Sequence, residues 1–315
     1  MQTFIDHGHG IYAIDAQYVR PQLAAIHLIV EGGRAAIFDT GTQYSVPHVV
    51  ATLAALGLSP ASVDYVIPSH VHLDHAGGAG AMMQAFPNAT LVVHSRGARH
   101  MIEPAKLMAG VMAVYGEQVA RDLYGELLPV PAARVCEAAD GMVLDLAGRA
   151  LTLLDTPGHA RHHVCLVDGR TGGIFTGDTL GLSYRELDVD GRPSIFPSTT
   201  PVQFDPAAMH ASIDRVLALQ PSALYPTHFS RVTDVPRLGA DLKRLLDAHL
   251  AIARAEAAAG PQGLHGRLVT ALQALLLTEK ASNGWRIDDA DLLELFAVDI
   301  DLNSQGLVHW LGGDA

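Results

Sequence analysis

Four side chains able to bind a metal fall within six residues at His70-Val71-His72-Leu73-Asp74-His75. Neutral imidazole and carboxylate suit zinc, iron or manganese, and four such groups this close cannot all reach one ion comfortably. The spacing therefore points to two metal ions. The apolar run Tyr65-Val66-Ile67-Pro68 reads as the end of a buried strand, so the ligands sit on the turn that leaves it. Three further candidates share that setting. His159 closes Asp155-Thr156-Pro157-Gly158-His159 after the run Ala150 to Leu154, Asp178 lies in Phe175-Thr176-Gly177-Asp178-Thr179, and His228 ends Leu224-Tyr225-Pro226-Thr227-His228. Loops at strand ends are where a rigid sheet holds functional groups. His162 and His163, just past His159, are candidates for bonding the far nitrogen of a ligand imidazole. The remaining histidines are read as structural.

These motifs resemble the metallo-β-lactamase superfamily over roughly residues 20 to 230. The resemblance implies that His70, His72 and His159 bind one metal, that Asp74, His75 and His228 bind a second, and that Asp178 bridges them. Asp39, in Phe38-Asp39-Thr40-Gly41, matches the family's first motif and is expected to support the ligands from behind. The fold implied is α/β, a four-layer αββα sandwich over residues 1–233, followed by a C-terminal helical region over residues 234–315. The hexapeptide followed by Ala76-Gly77-Gly78-Ala79-Gly80, with the bridging aspartate intact, is similar to a glyoxalase II-like branch of metallohydrolases.

The ligand set suggests a mechanism. Two divalent ions bring four positive charges and Asp74 and Asp178 remove two, so a bridging water is expected to be a hydroxide near neutral pH. The expected activity is hydrolysis of an ester-like bond, a thioester, lactone or carboxylic ester, with Asp74 both binding metal and orienting the nucleophile. Zinc leads as the metal, with iron and manganese as alternatives. Tyr184, six residues past Asp178, is the candidate hydroxyl donor to substrate. Asp178 argues against β-lactamase activity, since the family's true β-lactamases lack that aspartate. Glyoxalase II holds glutathione through basic residues near its C-terminus, whereas no Lys or Arg follows Arg286 here and seven acidic residues do. Two alternatives stand beside the ester hydrolase: a phosphodiesterase acting on a small molecule, and an oxidoreductase like the persulfide dioxygenase branch, which binds one iron through the equivalents of His70, His159 and Asp178.

Charge narrows the partners. A net charge of −12 with only three lysines argues against nucleic acid, because phosphate backbones are bound through clusters of Lys and Arg. A small-molecule substrate is expected, with no membrane partner and with self-association left open. Cys136 and Cys165 are isolated, and Cys165 inside an apolar run reads as a core thiol. Together with the lack of a signal-like or membrane-spanning apolar stretch, this leads to a cytoplasmic expectation.

The elements that must position the ligands follow from periodicity. Strands are expected at Ile11 to Ile14, Leu23 to Val30, Arg34 to Asp39, Thr90 to His94, Met142 to Leu146, Ala150 to Leu154, Val164 to Val167 and Gly173 to Thr176, with Gly32-Gly33 as a hairpin turn. Val46, Val49, Val50, Leu53 and Leu56 keep helical spacing, with Ser45 as N-cap and Gly57 as stop. A second helix holds Met82, Met83 and Phe86, and Asp205-Pro206 caps a third. Met101, Leu107, Met108, Val111, Met112, Val114 and Tyr115 form a Met-rich helical stretch, either a packing helix or the lining of an apolar substrate pocket. Beyond Asp234 the pattern is all helical, its leucine faces expected to bury against the domain or a second copy and its acidic end to face away from the metals.

Overall fold

The computed structural model describes residues 4–312, without the side chains of residues 113–115, so the expectation for Val114 and Tyr115 lies outside the described residues. Twelve strands form two sheets among the described residues. The first joins β1 (Phe4–Asp6), β2 (Ile11–Asp15), β3 (Ala25–Glu31), β4 (Arg34–Phe38), β5 (Val63–Ile67), β6 (Thr90–His94) and β7 (Val135–Ala138) in sequence order. Its first four strands pair antiparallel and its last four parallel. The second runs β12 (Leu224–Pro226), β11 (Ile174–Gly177), β10 (Val164–Asp168), β9 (Arg149–Asp155), β8 (Val143–Leu146), with only β11 and β12 parallel. Helices follow as α1 (Val46–Ala55), α2 (Leu73–Ala76), α3 (Ala79–Ala85), α4 (Ser95–Ile102), α5 (Ala105–Tyr115), α6 (Glu117–Tyr124), α7 (Pro206–Ala218), α8 (Val235–Ala257), α9 (Leu264–Asn283), α10 (Asp289–Leu295) and α11 (Ala297–Gly312).

The chain divides into two compact units: residues 1–155, 162–177 and 221–232, and residues 156–161, 178–220 and 233–315. The first holds both sheets. Alternation along β3 and β4 sends Ile26, Leu28, Ala35 and Ile37 to one face, against Val49 and Leu53 of α1, Met82 and Met83 of α3 and Met101 of α4. Ile29, Ala36 and Phe38 point to the other face and meet Leu151, Leu153, Leu166 and Phe175 of the second sheet. A single strand period thus builds a helix-sheet layer and a sheet-sheet layer together. The second unit is helical: α7 packs on α8, and α8, α9 and α11 pack on one another, with Leu238, Leu242, Leu268, Leu272, Ile300 and Leu307 buried on these helices.

Local differences from expectation have physical causes. Ser45 precedes α1 but makes no cap; its hydroxyl donates to Ala16 O (2.7 Å) and Thr42 caps the preceding 3-10 turn instead. Asp205 does cap α7, accepting from Ala208 N at 3.0 Å. The acidic end contains a separate helix, α10, whose N-cap Asp288 accepts from Asp291 N at 2.8 Å. The Met-rich stretch divides between α4, which carries Met101, and α5, whose Met108 and Met112 line part of a cavity of about 260 Å³ with Pro104, Arg121 and Leu127. Cys165 is buried, as expected for a core thiol.

Candidate metal centre

Every candidate ligand leaves the C-terminal end of a strand. Asp39 follows β4, the hexapeptide follows β5 through Pro68 and Ser69, and His228 follows β12. In the second unit His159 lies four residues past β9, and Asp178 directly follows β11.

Asp39 organises the first unit's ligands. It adopts a left-handed backbone conformation (φ 61°), one that Asp tolerates better than most residues, and is fully buried. Its Oδ1 accepts from Ser69 N (2.6 Å), and its Oδ2 accepts from Ser69 Oγ (3.1 Å), Thr227 Oγ1 (2.5 Å) and His75 Nδ1 (2.9 Å). An ionised carboxylate only accepts, so His75 carries its proton on Nδ1 and turns a lone pair outward on Nε2. Ser69 has one hydroxyl proton and gives it to Asp39. It therefore accepts from His70 Nδ1 at 3.0 Å, which leaves the lone pair of His70 on Nε2 as well. His228 Nδ1 donates to Leu23 O (2.7 Å), with the same result.

The freed nitrogens converge. His70 Nε2 lies 2.8 Å from His72 Nδ1, and Asp74 Oδ2 lies 3.3 Å from both His75 Nε2 and His228 Nε2. Asp74, His75 and His228 each offer a ligand atom within 4.8 Å of the others. Ligands about 2.0–2.1 Å from a tetrahedral ion stand roughly 3.3 Å apart, so the spacing fits a shared ion.

The second unit brings His159 and Asp178 together, with His159 Nε2 at 3.5 Å from Asp178 Oδ2. His159 Nδ1 faces Ser198 O at 3.3 Å, again directing the proton away from Nε2. Gly158 is required here because φ is 139° and a Cβ would overlap the backbone of Met209 in α7. The segment is pinned by Ser212 Oγ donating to Pro157 O (2.6 Å) and Thr179 Oγ1 donating to Thr156 O (3.1 Å).

The remaining expectations resolve individually. His162 Nδ1 accepts from Val71 N at 3.4 Å, which ties it to the hexapeptide backbone, and His163 stacks on the His70 ring with centroids 5.1 Å apart. Tyr184, the candidate donor to substrate, is buried and donates its hydroxyl proton to Asp299 Oδ2 at 2.9 Å. Ser69, Thr227 and the Leu23 and Ser198 carbonyls were not anticipated. Two of them carry a signal: Ser69 and Thr227 are hydroxyl residues immediately before a ligand histidine, and both donate to Asp39.

Residues 19–228 match the model of the metallo-β-lactamase superfamily, and the chain belongs to that family. It is 27% identical to the metallo-β-lactamase fold-containing protein ST1585 of Sulfurisphaera tokodaii over 225 residues, 70% of this chain and 78% of the relative. The crystal structure of ST1585 superposes with a TM-score of 0.62 at 25% identity, covering 77% of this chain and 87% of that one. A hydroxyacylglutathione hydrolase of Cupriavidus taiwanensis is 31% identical over 200 residues, 62% of this chain and 57% of the relative, so the chain spans a little over half of that enzyme. The metallo-β-lactamase family protein TTHA1429 of Thermus thermophilus has a TM-score of 0.64 at 22% identity, covering 97% of this chain and 94% of that one. The fold is the α/β metallo-β-lactamase fold with C-terminal helices. No helix among the described residues is long and apolar enough to cross a membrane.

Proposed function

We propose that the chain is a dinuclear metal-dependent hydrolase of an ester-like bond in a small molecule, with His70, His72 and His159 binding one ion, Asp74, His75 and His228 binding the other, and Asp178 bridging. The observation that carries the reading is the Asp74, His75 and His228 group, with each imidazole's Nδ1 proton fixed on Asp39 or Leu23 O. Buried donors whose lone pairs are aimed at a common point by outer partners are what a metal site requires and what a packed core does not. When bound, two divalent ions supply Lewis acidity toward the substrate oxygen and a water acidified for attack near neutral pH.

The chain's own residues supply the rest. Asp74, set 3.3 Å from the ligand nitrogens of both His75 and His228, is available as a carboxylate to accept and orient the proton of the attacking water. Asp39 holds His75 against rotation, and Ser69 couples that carboxylate to His70. The relative named as a hydroxyacylglutathione hydrolase supports a carbonyl substrate. The acidic stretch after Arg286 offers no cation for a glutathione carboxylate, which favours a lactone or a simple ester over a glutathione thioester.

The test is turnover of a panel of lactones, thioesters, carboxylic esters and phosphodiesters by metal-loaded protein, with Asp74→Ala alongside. Hydrolysis of at least one carbonyl ester that falls by orders of magnitude in the variant supports the reading. Equal turnover by both proteins refutes the site. One bound iron with persulfide-dependent oxygen uptake replaces the hydrolase by the oxidoreductase alternative.

A further inference from the structure

The segment beside His159 and Asp178 is held by the last helix of the chain. His159 Nδ1 faces Ser198 O at 3.3 Å, Thr200 Oγ1 lies 3.3 Å from the same nitrogen, and Ser198 Oγ lies 3.5 Å from Asp178 Oδ2. Residues 197–199 are gripped by one side chain of α11. Asn303 Oδ1 accepts from Thr199 N (2.6 Å), its Nδ2 donates to Pro197 O (2.9 Å), and its backbone carbonyl accepts from Thr199 Oγ1 (3.2 Å). Thr199 and Asn303 are both buried. Three residues on, a Cβ at Gly306 would overlap Thr199 O, so glycine is what lets the helix backbone come this close. Tyr184 and Asp299 add a second tie between α11 and the stretch leaving Asp178.

We propose that Asn303 is a positioning residue for the metal centre: by fixing the peptides on both sides of Ser198, it holds the Ser198 carbonyl against His159 Nδ1 and so sets the tautomer and direction of that ligand. The inference rests on the metal reading above. Truncating Asn303 leaves the buried Thr199 N–H and Pro197 carbonyl without their partner, and groups of that kind move or recruit water before they stay unbonded. Either response releases the Ser198 carbonyl. The C-terminal helices then do more than bury leucines, because their last member completes the outer support of one ligand.

Cobalt(II) titration of the full-length protein, followed by visible absorption alongside thermal melting of the metal-free forms, tests this. Asn303→Ala is expected to weaken cobalt binding by about 10–100-fold and to change the absorption band, the scale seen when an outer partner of a ligand is lost. Thr199→Val removes one of the three bonds and is expected to shift affinity in the same direction by less. Ile300→Val, buried on the same helix with no bond to the segment, is expected to lower the melting temperature and leave cobalt affinity and spectrum as in the wild type. An Asn303→Ala protein that melts earlier but keeps wild-type affinity and spectrum overturns the proposal, since helix packing alone would then explain the contact. If Asn303→Ala does not fold, unchanged affinity in Thr199→Val overturns it. A wild-type protein that binds no cobalt overturns the metal reading as well, which separates the two failures.

Discussion

Replacing Asp39 by asparagine keeps the side chain's shape and removes its charge, which isolates what the carboxylate does. Four donors point at it: Ser69 N and Oγ, Thr227 Oγ1 and His75 Nδ1. An amide placed with its NH2 at the Oδ2 position faces three of them, and placed the other way it faces the Ser69 N–H. The two hydroxyls can rotate, but the His75 proton leaves only by moving to Nε2, the nitrogen that faces Asp74 at 3.3 Å. Either arrangement loses at least one charge-assisted bond, worth about 1.5–3 kcal/mol. Loss of an outer partner costs about 10–100-fold in metal affinity, or roughly 1.4–2.7 kcal/mol. The two figures agree in size. Zinc affinity measured by competition with a chromophoric chelator, with urea unfolding of the metal-free form in parallel, reads both quantities. An Asp39→Asn protein with wild-type zinc affinity would refute the assignment of the His75 tautomer to Asp39.

Three further outcomes follow from the same geometry. Arg149 and Asp168 form a bidentate buried pair, Nε to Oδ1 at 2.7 Å and Nη2 to Oδ2 at 2.6 Å, so Asp168→Asn should destabilise the protein by about 3–5 kcal/mol in urea titration while native molecules keep their metal affinity. Burial lowers the His249 pKa to about 4, so stability attributable to its neutral form is complete above the unfolded value near 6.5 and is lost as pH falls toward 4, by roughly 3 kcal/mol in total. His249→Leu should flatten that acid limb of the melting profile, and an unchanged limb would count against it. Asp74→Ala should leave the circular dichroism spectrum unchanged and lower hydrolysis by orders of magnitude, because one substitution removes a ligand and the group that orients the attacking water.

What could be read from the sequence was whatever is local. The hexapeptide, the strand runs that deliver Asp39, His159, Asp178 and His228, and the Gly32-Gly33 hairpin each declare themselves within a dozen residues, and the observed strands other than β1 and β7 fall close to where the apolar runs place them. β1 and β7 were missed because they are strands of three and four residues with no more than one buried position each, leaving no alternation to detect. Ser45 has the right type and place for a cap, yet Ala16 O, nearly thirty residues earlier, takes its hydroxyl. Tyr184 sits at a suggestive distance from Asp178 in sequence, and only the fold reveals Asp299 as its acceptor. Asn303 is the clearest case: it supports a segment more than a hundred residues away, and nothing in its neighbours marks it. Polar partners distant in sequence carry no periodicity, so they appear only once the chain is folded.

The central claim is that one chain holds two metal ions on these seven side chains, and elemental analysis of the metal-saturated, full-length protein tests it most directly. The account predicts about two transition-metal ions per chain, falling for both positions in Asp178→Asn, as expected for a ligand shared by a two-metal site. A full metal complement in Asp178→Asn, or a single iron per chain in the wild type, would contradict it.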